Sequence, residues 1–93
     1  MNNDAIYYLC VFDSKNHALF IYTKLEAKNN NVCKLVSTPC VLKSGCTYSI
    51  KIPSKNYIKS VLSVIKEERL RTPKIYAVEK INNKFEYREL DIN

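Results

Sequence analysis

Glycine is almost missing from this 93-residue chain, which has one, Gly45. A single glycine cannot build a glycine-rich phosphate cradle, so nucleotide-binding loops of that kind are excluded. Tryptophan is absent, methionine and histidine occur once each, and proline occurs three times. The lone histidine, His17, cannot make a multi-histidine metal centre, and no Ser-His-Asp set can be argued from the spacing. No apolar run approaches the roughly 20 residues that span a bilayer. The start, Met1-Asn-Asn-Asp4, lacks the basic and apolar regions of a secretory signal. These absences lead us to expect a cytoplasmic protein that does not enter membranes. Its four cysteines are then expected as thiols rather than a disulfide frame.

What the chain does have is apolar content, 46% hydrophobic with seven Tyr, enough for a compact core in one domain spanning 1–93. Lys and Arg outnumber Asp and Glu by 15 to 9, giving a net charge of +6. The basic residues are scattered along the sequence, from Lys15 and Lys24 through Lys51 to Lys66. Such scatter describes a solvated lysine-rich surface, and nucleic acid is not an expected partner.

Residues 5–12 form a continuous apolar run, the pattern of a strand buried on both faces. Ser14 supplies a helix N-cap, and Ala18, Ile21, Tyr22 and Leu25 recur at helical spacing to about residue 28. Leu19 and Phe20 are expected to widen that stripe, and Asn29-Asn30-Asn31 to end the helix. Residues 32–36 read as a strand that Pro39 closes. In residues 47–52 Tyr48, Ile50 and Ile52 alternate with polar residues, the mark of a half-buried strand. Ser54 caps a second helix to about residue 70, striped by Tyr57, Ile58, Val61, Leu62 and Ile65. Residues 74–81 predict a fourth strand, Asn82-Asn83 a turn, and residues 85–90 an optional fifth edge strand. The expected fold is α+β. It is a ferredoxin-like βαββαβ arrangement, an antiparallel sheet with two helices on one face and an optional C-terminal edge strand.

The chemistry-bearing stretch is Ser37-Thr-Pro-Cys-Val-Leu-Lys-Ser-Gly-Cys46, which holds two cysteines and the only glycine. Cys46 sits between Gly45 and the start of an alternating strand, a position that brings a thiol to a loop rim. Lys43 lies three residues before it, and a nearby cation favours thiolate over thiol. Cys40, six residues before Cys46, is close enough along the chain to pair with it or resolve an adduct on it. Residue types alone also fit ordinary loop cysteines at both positions. Cys10 and Cys33 fall inside apolar strands and are expected to be buried. No two cysteines are two to four residues apart, so neither a structural zinc site nor a Cys-x-x-Cys couple is indicated, and no cofactor is expected. His17 reads as a solvated first-turn residue.

Three motifs in order carry a family resemblance: Phe12-Asp-Ser-Lys-Asn-His-Ala18, Leu35-Val-Ser-Thr-Pro39, and Ser44-Gly-Cys46 followed by Thr47-Tyr-Ser-Ile50. Across about residues 6–70 the chain resembles the putative Se/S carrier protein-like family, a small bacterial domain often found in anaerobes. The family's cysteine falls on Cys46. Members commonly follow it with glycine, where this chain has Thr47, and commonly place a residue other than cysteine after Thr-Pro, where this chain has Cys40. The resemblance implies a carrier rather than a complete enzyme. On that reading Cys46 would accept sulfur or selenium as a persulfide or selenopersulfide. From this chain's own residues, Cys40, a departure from the family pattern, would resolve or protect it and Lys43 would favour the thiolate. Its partners would be protein donors and acceptors of the atom. The alternative is a regulatory or interaction module, homodimeric through its sheet edge, in which the cysteines are incidental.

Overall fold

Tyr7–Val11 is the axis of the molecule. In a computed structural model describing residues 5–28, 31–42 and 47–91, this strand, β1, lies at the centre of a five-stranded antiparallel sheet. The other elements are α1 (Lys15–Ala27), β2 (Lys34–Ser37), β3 (Tyr48–Ile52), α2 (Ile58–Glu67), β4 (Lys74–Ile81) and β5 (Lys84–Leu90). The strand order is β2-β3-β1-β4-β5. Thus β3 separates β1 from β2, and β1 separates β3 from β4, so both β-α-β connections cross over an intervening strand. Asn29 and Asn30, the expected end of α1, lie outside the described residues, as do Lys43, Gly45 and Cys46.

One core joins both helices to one face of the sheet. Ala18, Ile21 and Leu25 of α1 and Ile58, Val61, Val64 and Ile65 of α2 pack with Cys10, Ile50, Ile52 and Ile75. Burying such a face removes apolar surface from water at roughly 25 cal/mol per Å2, the main force holding these layers. Leu19 and Phe20 do not join this stripe and stay 40% and 42% exposed. They sit about 100° and 200° around the helix from Ala18, while Ile21 and Leu25 return to its face. The Phe20 ring instead carries the Lys24 ammonium 5.2 Å from its centroid.

The termini of the elements follow side-chain chemistry. Ser14 Oγ accepts the backbone N–H groups of Asn16 and His17, capping α1. Ser54 caps a single 3-10 turn, Lys55–Tyr57, that leads into α2. At the other end of α2, Leu70 N–H donates to Ile65 C=O and Arg69 N–H to Lys66 C=O, a Schellman closure. Arg69 takes φ 58 there, the left-handed region that favours glycine. Arg69→Gly is therefore expected to raise stability by about 0.5 kcal/mol, because relief of the side-chain clash exceeds the added unfolded-state entropy. Urea denaturation checks this, and a loss of stability would show that the Arg69 side chain contributes more than its backbone costs.

Asn82 and Asn83 have φ 53 and 64, the pair of left-handed residues that a two-residue type I′ hairpin requires. They join β4 to β5 with Ile81 opposite Lys84. Across this hairpin the Arg88 guanidinium donates to the buried Glu79 carboxylate at 2.8 Å. No helix among the described residues is long and apolar enough to cross a membrane.

Candidate functional site

The segment linking β2 to β3 carries the candidate chemistry. Its base is closed by Thr38 N–H donating to Thr47 C=O at 3.0 Å. A second clasp lies just inside, where the Thr38 and Ser49 hydroxyls share a hydrogen bond of 2.6 Å, both side chains being buried. Between these anchors Leu42 N–H donates to Pro39 C=O, folding the chain into a turn. Leu42 packs on a small cluster of Leu9, Val11 and Val78. That cluster occupies the sheet face opposite the helices, so the start of the loop folds onto the helix-free side.

Cys40 lies on this turn, exposed, with its thiol free. Pro39 before it cannot extend the β2 ladder, and Val41 after it is 77% exposed. Of the two expected loop cysteines it is the one among the described residues; Cys46 and Lys43 lie outside them, so the spatial relation of the three is not described. Thr47, next to Cys46, has a buried hydroxyl without a hydrogen-bond partner among the described residues.

Cys10 and Cys33 are buried in the helix-side core, as their apolar settings implied. Burial, reinforced by neighbouring Cys33, pushes the Cys10 thiol far above its ordinary value. A thiol held protonated this way is a packing group, not a nucleophile. His17 sits exposed in the first turn of α1, its backbone N–H bound to Ser14. No group of three or more metal-ligating side chains occurs among the described residues.

The Thr38–Ser49 clasp was not visible in the sequence, because it joins residues 11 apart through strand register. Replacing Thr38 with Val leaves the Ser49 hydroxyl buried and unpaired. The expected cost is about 1–3 kcal/mol, read as a lower urea midpoint. Thr38→Ser retains the hydroxyl and should lose less than half as much. Equal losses would mean that the clasp contributes nothing.

A family comparison decides what this framework is related to. Residues 7–77 match the model of the family described as Putative Se/S carrier protein-like. The chain belongs to this family. The match runs from the first residue of β1 into β4 and includes the whole β2–β3 segment with Cys40 and Cys46. The end of β4 and all of β5 lie beyond the matched residues of this carrier-like chain. Comparison with curated proteins and with solved structures finds no match.

Proposed function

We propose that the protein carries sulfur or selenium on Cys46, within the β2–β3 segment that the carrier-like family match spans. The observation that carries this reading is the family match across the dithiol segment, supported by the exposure of Cys40 on a loop clasped at its base. The Cys46 thiolate attacks the outer sulfur of a persulfide on a donor protein. The donor's S–S bond breaks, its thiolate leaves, and the outer sulfur stays on Cys46 as a persulfide. An acceptor nucleophile then takes that sulfur and releases the Cys46 thiolate. A selenopersulfide follows the same path with selenium as the outer atom.

Cys40 resolves the adduct when no acceptor arrives. Its thiolate attacks the Cys46 sulfur, expels hydrosulfide, and leaves a Cys40–Cys46 disulfide that a dithiol reductant reopens. Lys43, three residues before Cys46, favours the thiolate. Such chemistry belongs to the reducing cytoplasm. We further read the order β2-β3-β1-β4 as ferredoxin-like, with β5 added at the β4 edge.

Alkylation by iodoacetamide across a pH series tests the thiol. Cys46 should react with a midpoint below the ordinary cysteine value of about 8.5, and Cys10 should not react in the native protein. An ordinary midpoint at Cys46, with no sulfur adduct from a persulfide donor, overturns the carrier reading.

A second reading, a homodimeric interaction module, rests on β5. It is an edge strand carrying Phe85, which is 52% exposed. A dilution series in size-exclusion chromatography separates the readings: the carrier remains active as a monomer, whereas the module requires the dimer.

A further inference from the structure

The sheet has a second face that no helix covers, and its composition is not that of a bland surface. Strand register identifies its residues. Leu9 lies opposite Lys51 on β3 and Tyr76 on β4, and Lys51 in turn lies opposite Lys34 on β2. Val11 lies opposite Lys74, and Val78 opposite Tyr7 and Tyr87. Lys80 lies opposite Phe85. Four of the lysines that looked scattered along the chain, Lys34, Lys51, Lys74 and Lys80, are therefore gathered by pairing onto one surface. Among the described strand residues of this face, Glu89 is the one acidic side chain facing Lys34, Lys51, Lys74 and Lys80.

Aromatic rings alternate with these cations. Tyr7, Tyr76 and Tyr87 surround the small apolar cluster, and Phe85 stands 52% exposed at its border. The Lys51 ammonium lies 4.4 Å from the Tyr7 ring centroid, and the Lys80 ammonium 5.9 Å from that of Phe85. Lys34 and Lys51 directly oppose each other, and like charges so placed repel. A polyanion lying across β2 and β3 relieves that repulsion. Rings beside ammonium groups on a broad β-surface match bases and phosphates in turn, since stacking tolerates any base and lysine neutralises the backbone.

We propose that this helix-free face binds a single-stranded nucleic acid, with Tyr76, Tyr87 and Phe85 as stacking platforms and Lys34, Lys51, Lys74 and Lys80 as phosphate contacts. Single strands fit better than duplexes because a flat sheet can stack only on unpaired bases. The site is separate from the proposed thiol chemistry and does not depend on it, although Leu42 places the start of the cysteine loop against the same apolar cluster.

Fluorescence anisotropy with labelled oligouridylate and oligothymidylate of about 12 nucleotides tests the proposal on the full chain. Binding is expected to weaken with salt along a log–log slope of about −2 to −3, from four lysines at about −0.7 each. Lys34→Gln should reduce that slope by roughly 0.7. Tyr76→Leu and Phe85→Leu should each weaken binding roughly ten-fold. Phe85 is exposed, so its substitution leaves the fold intact and keeps the test valid if Tyr76→Leu lowers stability. A preference for either oligonucleotide supports the site and says whether RNA or DNA is its ligand. Three results overturn the proposal: no binding at the lowest salt, equal binding of duplex or heparin that ignores the aromatic substitutions, or binding to anionic vesicles in place of oligonucleotides. Cys46→Ser is expected to leave this binding unchanged, so failure here and failure of the carrier reading are distinguishable.

Discussion

Ile50→Ala should lower the stability of this protein by about 3–4 kcal/mol. Ile50 is fully buried on β3, opposite Cys10 on one side and Leu35 on the other, in the core shared by both helices. Truncation removes three carbons and leaves a void that close-packed neighbours can fill only in part. Domains of this size are stable by only about 5–15 kcal/mol, so the loss is a large fraction of the whole. The melting temperature should fall by roughly 15 °C or more. Ile50→Val should cost only about 1 kcal/mol. Leu42→Ala, on the smaller cluster of the opposite face, should also cost little, because Leu42 is only half-buried. Urea and thermal denaturation of the three variants provide the comparison. Similar losses at Ile50 and Leu42 would mean that the two faces contribute equally, against the division into a main and a minor core.

The second large effect separates the two loop cysteines. Cys46→Ser should abolish sulfur loading from a persulfide donor, because a hydroxyl at neutral pH does not attack a persulfide. Cys40→Ser should leave loading intact and lengthen the lifetime of the adduct, since the thiol that expels hydrosulfide has gone. Hydrosulfide release, followed with a sulfide-selective probe, reads both effects. If Cys40→Ser removes loading while Cys46→Ser does not, the roles are reversed. If neither substitution matters, the cysteines are incidental to function. Neither change should alter the circular dichroism spectrum: Cys40 is exposed, and Cys46→Ser exchanges one small side chain for another.

Much of the fold was legible because local chemistry and tertiary structure agree. The Ser14 cap, the bounds of β4 at Lys74–Ile81 and the Asn82-Asn83 turn all follow from side chains acting on their own backbone. The strand over residues 85–90, optional on sequence grounds, is formed and begins one residue earlier, at Lys84. Leu19 and Phe20 were misplaced because both are apolar and adjacent to the true stripe, and composition does not say where a helix turns its face. In the candidate site, the loop position of Cys40 was legible from Pro39, which ends the ladder, whereas its exposure came from the structure. The Thr38–Ser49 clasp and the Tyr–Lys surface were not, since both arise from register between strands far apart in the chain. The scattered lysines show the same limit, because spacing along one strand carries no information about the residue opposite.

The most direct test of the carrier account is peptide-level mass spectrometry of the full-length Cys40→Ser variant, in which the adduct is not resolved, after incubation with a persulfide donor and quenching by alkylation. The account predicts one additional sulfur on the peptide containing Cys46, with the buried Cys10 and Cys33 unmodified. Absence of additional sulfur on Cys46, or its appearance only on the other cysteines, would contradict it.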